Sequence, residues 1–115
     1  MADLQQLKQI ANLLRQDVIR SVYRVKSGHI GGSLSAADMI AALYFHQLRI
    51  NPSDPSWPDR DRFVLSKGHA APVLYAALAR RGFFPWDDLK TLRHIGSYLQ
   101  GHPNMNETPG VDMST

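Results

Sequence analysis

Three of the five histidines in this 115-residue sequence follow a glycine: Gly28-His29, Gly68-His69 and Gly101-His102. Five histidines and eight glycines scattered at random would give roughly 0.35 such pairs. A neutral imidazole offers one donor and one acceptor, and it titrates close to physiological pH. A preceding glycine has no Cβ, so the backbone there can come close to a ligand. The pattern suits a polar ligand, or oxygen atoms whose charge changes during a reaction. The plainer reading is three exposed loop histidines, and the residue types alone leave both open. A three-histidine metal site lacks the usual helical spacing, since there is no His-x-x-x-His and no His-Glu-x-x-His. His46 and His94 fall near expected helix C-termini, where a cation is favoured, so capping is the better reading of both.

Other motifs carry less. Gly31-Gly32-Ser33 is the one glycine cluster, and it is neither a dinucleotide fingerprint nor a Walker loop. Asp54, Asp59 and Asp61 stand among prolines with no EF-hand spacing, and read as a solvated loop pairing with Arg60 and Arg62. Trp57 and Trp86 read as packing anchors. The absence of cysteine excludes disulfides, thiolate metal sites and a thiol nucleophile.

The elements that must position the histidines are mostly helical. Leu7, Ala11, Leu14, Val18, Val22 and Val25 recur at spacings of three and four, which predicts an amphipathic helix over 4–26. Asp3 and Gln6 supply a capping box, and Ser27-Gly28 ends the helix. Residues 28–33 read as a tight loop, followed by a second helix over 36–47 with Ser35 as N-cap and Asp38 three residues on. Three prolines make 51–59 an ordered loop. Arg62-Phe63-Val64-Leu65-Ser66 predicts a short strand buried on both faces, and Lys67-Gly68-His69 turns out of it. A helix over 70–81 follows, with Pro72 in its first turn and Gly82 after its end. A short helix over 86–94 closes at Gly96, and the chain is irregular from Ser97. Helices around one strand indicate an α/β fold whose other strands lie outside these residues, because a lone buried strand leaves backbone groups unpaired.

Composition is that of an ordinary globular domain, with 43% hydrophobic and 20% charged residues. A net charge of +3 is spread over interleaved acids and bases, which argues against a nucleic-acid partner. No apolar run is long enough to span a membrane, and the first residues lack a leader pattern, so the expectation is a cytoplasmic protein without a membrane partner.

Taken together, Ser27-Gly28-His29-Ile30-Gly31-Gly32-Ser33-Leu34-Ser35, then Asn51-Pro52 and the run Trp57-Pro58-Asp59-Arg60-Asp61-Arg62-Phe63-Val64-Leu65-Ser66-Lys67-Gly68-His69-Ala70, then Gly101-His102-Pro103 resemble the start of transketolase. The likeness is greatest to the N-terminal subunit of two-chain transketolases. Thr108 to Thr115 resembles the lead-in to that family's next glycine-rich loop. The likeness runs over nearly the whole chain and implies that 1–115 is an N-terminal, incomplete portion of a thiamine diphosphate-binding domain. It implies a transferase of the pentose phosphate pathway type that moves a two-carbon ketol unit between sugar phosphates, with thiamine diphosphate supplying the carbanion chemistry. By the same resemblance His29 and His102 are catalytic, near the thiazolium and the substrate oxygens. His69 and His102 bind the cofactor, His69 at its diphosphate. The expected partner is a C-terminal subunit, in a dimer of heterodimers, and that subunit carries the glutamate that activates the aminopyrimidine.

The sequence departs from the family at two points. Ile30 stands where the family has proline, which loosens the loop holding His29. The Gly-Asp-Gly…Asn motif that holds Mg2+ and the diphosphate is not among these residues, so the magnesium ligands are expected on further sequence and none here. A catalytic segment completed by other chains therefore stands beside an inactive remnant or non-catalytic interaction module of the same fold. A related donor specificity stands as a third reading. Deoxyxylulose phosphate synthase fits less well, because Trp57–His69 is transketolase-like.

Overall fold

The first helix begins where Asp3 caps it. The Asp3 carboxylate accepts from the Gln6 backbone N–H at 2.8 Å, and the Gln6 side chain accepts from the Asp3 N–H at 2.9 Å, closing the expected capping box. The computed structural model describes residues 3–26 and 28–115. The expected helix stop at Ser27 lies outside these residues, as do Met1 and Ala2. Helix α1 spans Leu4–Val25 and ends on Lys26 in the left-handed conformation. Its buried stripe of Ala11, Leu14, Val18 and Val22 is the predicted one.

Helix α2 corrects the expected start. It spans Gly31–Ala42, not 36–47, and continues as a π-helical turn over Leu43–Gln47. Gly31 and Gly32 are therefore the first turn of a helix and not a loop. Ser35 does not cap; its hydroxyl donates to the Gly32 carbonyl at 3.1 Å, one turn back. The early start follows from packing. Ser33 is fully buried and its hydroxyl donates to the Ala70 carbonyl at 3.2 Å, so the first turn is held from the neighbouring element.

Helix α3 spans Ala71–Arg81, preceded by a 3-10 turn over Gly68–Ala70 and ended by Gly82 with φ 95°. Every residue from Val73 to Ala79 is buried. A helix apolar all round belongs at the centre, and α1 and α2 both pack on it. Ala36, Ala37, Ala41, Ala71, Ala76 and Ala77 line these contacts and allow a close helix approach. A 3-10 helix over Trp86–Thr91 takes the place of the helix expected over 86–94. His94 thus lies beyond its end.

One charged residue enters this core. Asp17 is 2% exposed, and the Arg80 guanidinium donates to its carboxylate twice, at 2.6 and 2.9 Å. The Trp86 indole N–H donates to the same carboxylate at 3.2 Å, and Arg80 lies over the Trp86 ring at 5.5 Å. Hydrogen bonding to Asp17 raises the pKa of Arg80 above its ordinary value, against the opposing effect of burial. Trp86 is the expected anchor, though it anchors through its polar edge.

The strand expected at 62–66 is not formed, and there is no strand among the described residues. The segment is extended, but side chains take the place of a neighbouring strand. The Phe63 N–H donates to the Asp112 carboxylate at 2.8 Å, and Arg60 donates to the same group at 3.0 Å. Burial is also one-sided: Leu65 is buried while Val64 is 51% exposed. Asp61 pairs with Arg49 rather than with Arg60 or Arg62, taking the Arg49 backbone N–H at 2.7 Å and its guanidinium at 3.3 Å. Arg62 instead donates to the carbonyls of Pro58 and Arg60. No helix among the described residues is long and apolar enough to cross a membrane.

Candidate functional site

The turn carrying His69 is clamped to the start of α2 on both sides. Before it, the Lys67 ammonium donates to the Gly32 carbonyl at 2.9 Å and to the Ser35 hydroxyl at 3.2 Å. After it, the Ala70 carbonyl accepts from Ser33. Between the two clamps the His69 ring lies against Gly32, and a Cβ built there would be 3.4 Å from its Nε2. Gly32 thus lets an imidazole sit against the first turn of a helix. That turn has no side-chain cap, so its N–H groups are open donors beside the ring.

His102 comes from the opposite side. Tyr75, buried on α3, donates its hydroxyl to the Gln100 carbonyl at 2.6 Å and fixes the loop two residues before His102. Burial raises the pKa of this phenol well above its ordinary value, so it stays a donor. Further along, Pro103 is buried and its carbonyl accepts from the Thr115 N–H at 3.3 Å. The His102 ring then reaches Gly68. A Cβ at Gly68 would lie 2.8 Å from His102 Nδ1 and 2.5 Å from the Thr115 backbone, so only glycine fits. His102 Nδ1 is also 3.3 Å from the Thr115 carbonyl.

His69 and His102 therefore sit on either side of the Gly68-His69 turn, one against Gly32 and one against Gly68. His29 joins them less directly. It is exposed on the short link between α1 and α2, after Gly28 with φ 120°. No side-chain hydrogen bond holds its ring or that of His69 among the described residues. Ile30, in the place of the expected proline, is helical in conformation and offers no cap to α2.

All three imidazoles are exposed. Two clefts of the molecule are formed by other residues. One lies between Gly96, Tyr98, Gln100, Asn104 and Glu107, and a small one of about 30 Å³ lies between α1 and Trp86. Among the described residues no group of three His, Asp or Glu side chains is arranged to hold a metal ion. The donors that converge are imidazoles, an ammonium and helix N-terminal N–H groups. Such a set suits a bound anion and oxygen atoms that gain negative charge.

Two residues with a positioning part carried no sequence signal of their own. Lys67 was legible only as the neighbour of a Gly-His pair. Ser33 was masked by the reading of 28–33 as a loop. Its buried hydroxyl has meaning only once Ala70 is known to be beside it.

Comparison with known proteins shows the family and the fold. A family profile described as the transketolase, thiamine diphosphate binding domain matches residues 6–115. The chain is 48% identical over 109 residues to the 6-deoxy-6-sulfo-D-fructose transketolase subunit SqwG of Clostridium sp. (strain MSTE9), covering 95% of this chain and 40% of that one. It is 50% identical over 100 residues to the transketolase of Homo sapiens, covering 87% of this chain and 16% of that protein. The structure of transketolase from Leishmania mexicana superposes with a TM-score of 0.91 at 40% identity, over all of this chain and 17% of that one. The chain thus spans well under half the length of these relatives.

Proposed function

The chain belongs to the transketolase thiamine diphosphate-binding domain family, and from that premise we propose that it supplies one wall of a site for ketol transfer between sugar phosphates. The carrying observation is the convergence of the Gly-His turns: His69 against Gly32, and His102 against Gly68. Two loops far apart in sequence have no packing reason to present exposed imidazoles to glycines of neighbouring segments. A shared ligand gives one.

The donor chemistry fits the cofactor. The diphosphate of thiamine diphosphate is an anion, and His69 beside the uncapped first turn of α2 offers an imidazole and backbone N–H groups to it. A hydrogen bond to such a charged group contributes ~1.5–3 kcal/mol. When bound, thiamine diphosphate supplies carbanion stabilisation. Mg2+ is proposed with it, on ligands outside these residues.

The remaining work falls to this chain's own side chains. Cleaving or forming a carbon–carbon bond next to a carbonyl builds negative charge on the carbonyl oxygen. His29 and His102 donate to such oxygens, and their value is greatest where charge develops. His69 contacts a group whose charge is constant, so it contributes to binding rather than turnover. The exposed imidazoles call for a second wall, and a C-terminal subunit is the proposed partner, in a dimer of heterodimers.

The test is steady-state ketol transfer by the assembled enzyme: the full gene product carrying this chain, its partner subunit, thiamine diphosphate and Mg2+. His29→Ala and His102→Ala are expected to lower turnover at saturating cofactor, and His69→Ala to raise the cofactor requirement. If all three match wild type, the histidine face is not the site.

A further inference from the structure

We propose that Arg93 is a positioning residue, a cationic strut that fixes the spacing of the His29 and His102 loops. It belongs to none of the motifs quoted above, and it lies nine residues before His102. Its backbone is one of two non-glycine positions in the left-handed region among the described residues, with φ 64°. Such a conformation is uncommon for a side-chain-bearing residue and persists only where its surroundings enforce it. Here the Arg93 N–H donates to the Leu99 carbonyl at 2.7 Å and closes a loop whose interior is tied by Thr91 and Ser97 hydroxyls 2.7 Å apart.

This turn carries the guanidinium to two of the three Gly-His pairs. A Cβ built on Gly101 would lie 3.0 Å from Arg93 Nη1, 3.2 Å from Cζ and 3.5 Å from Nη2. A Cβ built on Gly28 would lie 4.0 Å from the same Nη1. One planar group therefore lies close against the residue before His102 and within van der Waals reach of a side-chain position on the residue before His29. At Gly101 the missing side chain leaves room for it. The guanidinium makes no ion pair or hydrogen bond with another side chain among the described residues, so salt-bridge formation does not explain its place.

The role rests on the proposed site for its meaning, but its test does not depend on activity alone. In the assembled enzyme, hydrogen exchange at amides 28–30 and 101–103 is compared between wild type and Arg93→Ala. Exchange in both loops should rise by roughly tenfold or more, with amides of α1–α3 unchanged. The kinetic arm is a double-mutant cycle with Gly101→Ala, which puts a methyl against the guanidinium. Displacing a positioned group by about 1 Å costs on the order of 10²-fold in rate. Arg93→Ala and Gly101→Ala should each lower kcat by about 10- to 100-fold at unchanged cofactor affinity. Combined, they should lower it no more than Arg93→Ala alone. Arg93→Lys should recover only part, and added guanidinium ion should restore part of the Arg93→Ala loss. Unchanged exchange in either loop, or fully additive effects of the two substitutions, overturns the strut. A wild-type enzyme without ketol transfer would instead overturn the proposed function, and the exchange arm would still decide Arg93.

Discussion

Two polar constellations in this molecule are built in opposite ways. Asp17 is buried among the helices with Arg80 and the half-exposed Trp86 over it, and each of its carboxylate oxygens has a donor. His29, His69 and His102 lie on exposed loops, and their rings have almost no protein partners. The first group is satisfied by the fold, because a buried charge without partners destabilises by several kcal/mol. The second is left unsatisfied at the surface, where water tolerates it, and its supporting residues carry the order instead. Ser33, Lys67 and Tyr75 hold the backbone around the imidazoles, leaving the imidazoles themselves open. Polar groups that complete one another serve stability, and polar groups held in place but left open are available to a ligand.

The comparison breaks first at Asp17. Asp17→Ala leaves the Arg80 guanidinium and the Trp86 indole without their acceptor, and a broken buried pair costs ~3–5 kcal/mol. Partial exposure of Arg80 puts the expectation at the low end of that range. Chemical denaturation should show the loss; a change below about 1 kcal/mol would mean that water replaces the carboxylate.

The histidine face should respond in the opposite sense. His29→Ala and His102→Ala should leave the denaturation midpoint within the ±0.5 kcal/mol of ordinary surface changes. They should lower turnover by ~10²–10³, equivalent to ~2.7–4 kcal/mol of lost transition-state stabilisation. Loss of stability with retained turnover would place them with Asp17 instead. His69→Ala is the next smaller effect. It should weaken cofactor binding by ~1.5–3 kcal/mol, read by calorimetric titration of the assembled enzyme, with kcat retained at saturation.

The smallest effect sharpens the contrast from the loop side. The Arg49 backbone N–H, then its guanidinium, hold the Asp61 carboxyl below its ordinary value of 3.8. A carboxylate with a lowered folded pKa stabilises fully above its unfolded pKa, and that contribution is lost as pH falls through the folded one. Loop stability should therefore decline only in acid. Asp61→Asn should flatten the acid dependence of the unfolding midpoint below about pH 4 and lower the midpoint slightly near neutrality, where the carboxylate's contribution is fully present. An unchanged midpoint at neutral pH would show that the Arg49 pairing adds nothing to stability.

Part of the candidate site was legible without coordinates. The excess of Gly-His pairs singled out His69 and His102, which the fold brings beside Gly32 and Gly68, and His29, which it does not. Helix periodicity and capping found α1 and α3 nearly to the residue, since both signals are local. The start of α2 was misread because two glycines and a serine favour loops in isolation. The contacts that overrule that preference come from Ala70 and Lys67, more than thirty residues away. The strand at 62–66 failed for the converse reason. Its apolar, β-branched pattern is suited to a sheet, but pairing needs a neighbour, and Asp112 takes the Phe63 N–H.

The sequence by itself determined what is local and periodic: two helices with their ends, the proline-rich loop, and three glycines placed before three histidines. Tertiary structure alone decided what those glycines are for. Gly68 excludes any side chain because His102 and Thr115 occupy the space, and at Gly101 a side chain would press on the Arg93 guanidinium. The physical reason is range. Backbone preference and hydrophobic period act over a few residues, whereas the approach of one loop to another depends on every packed element between them, here the buried helix α3.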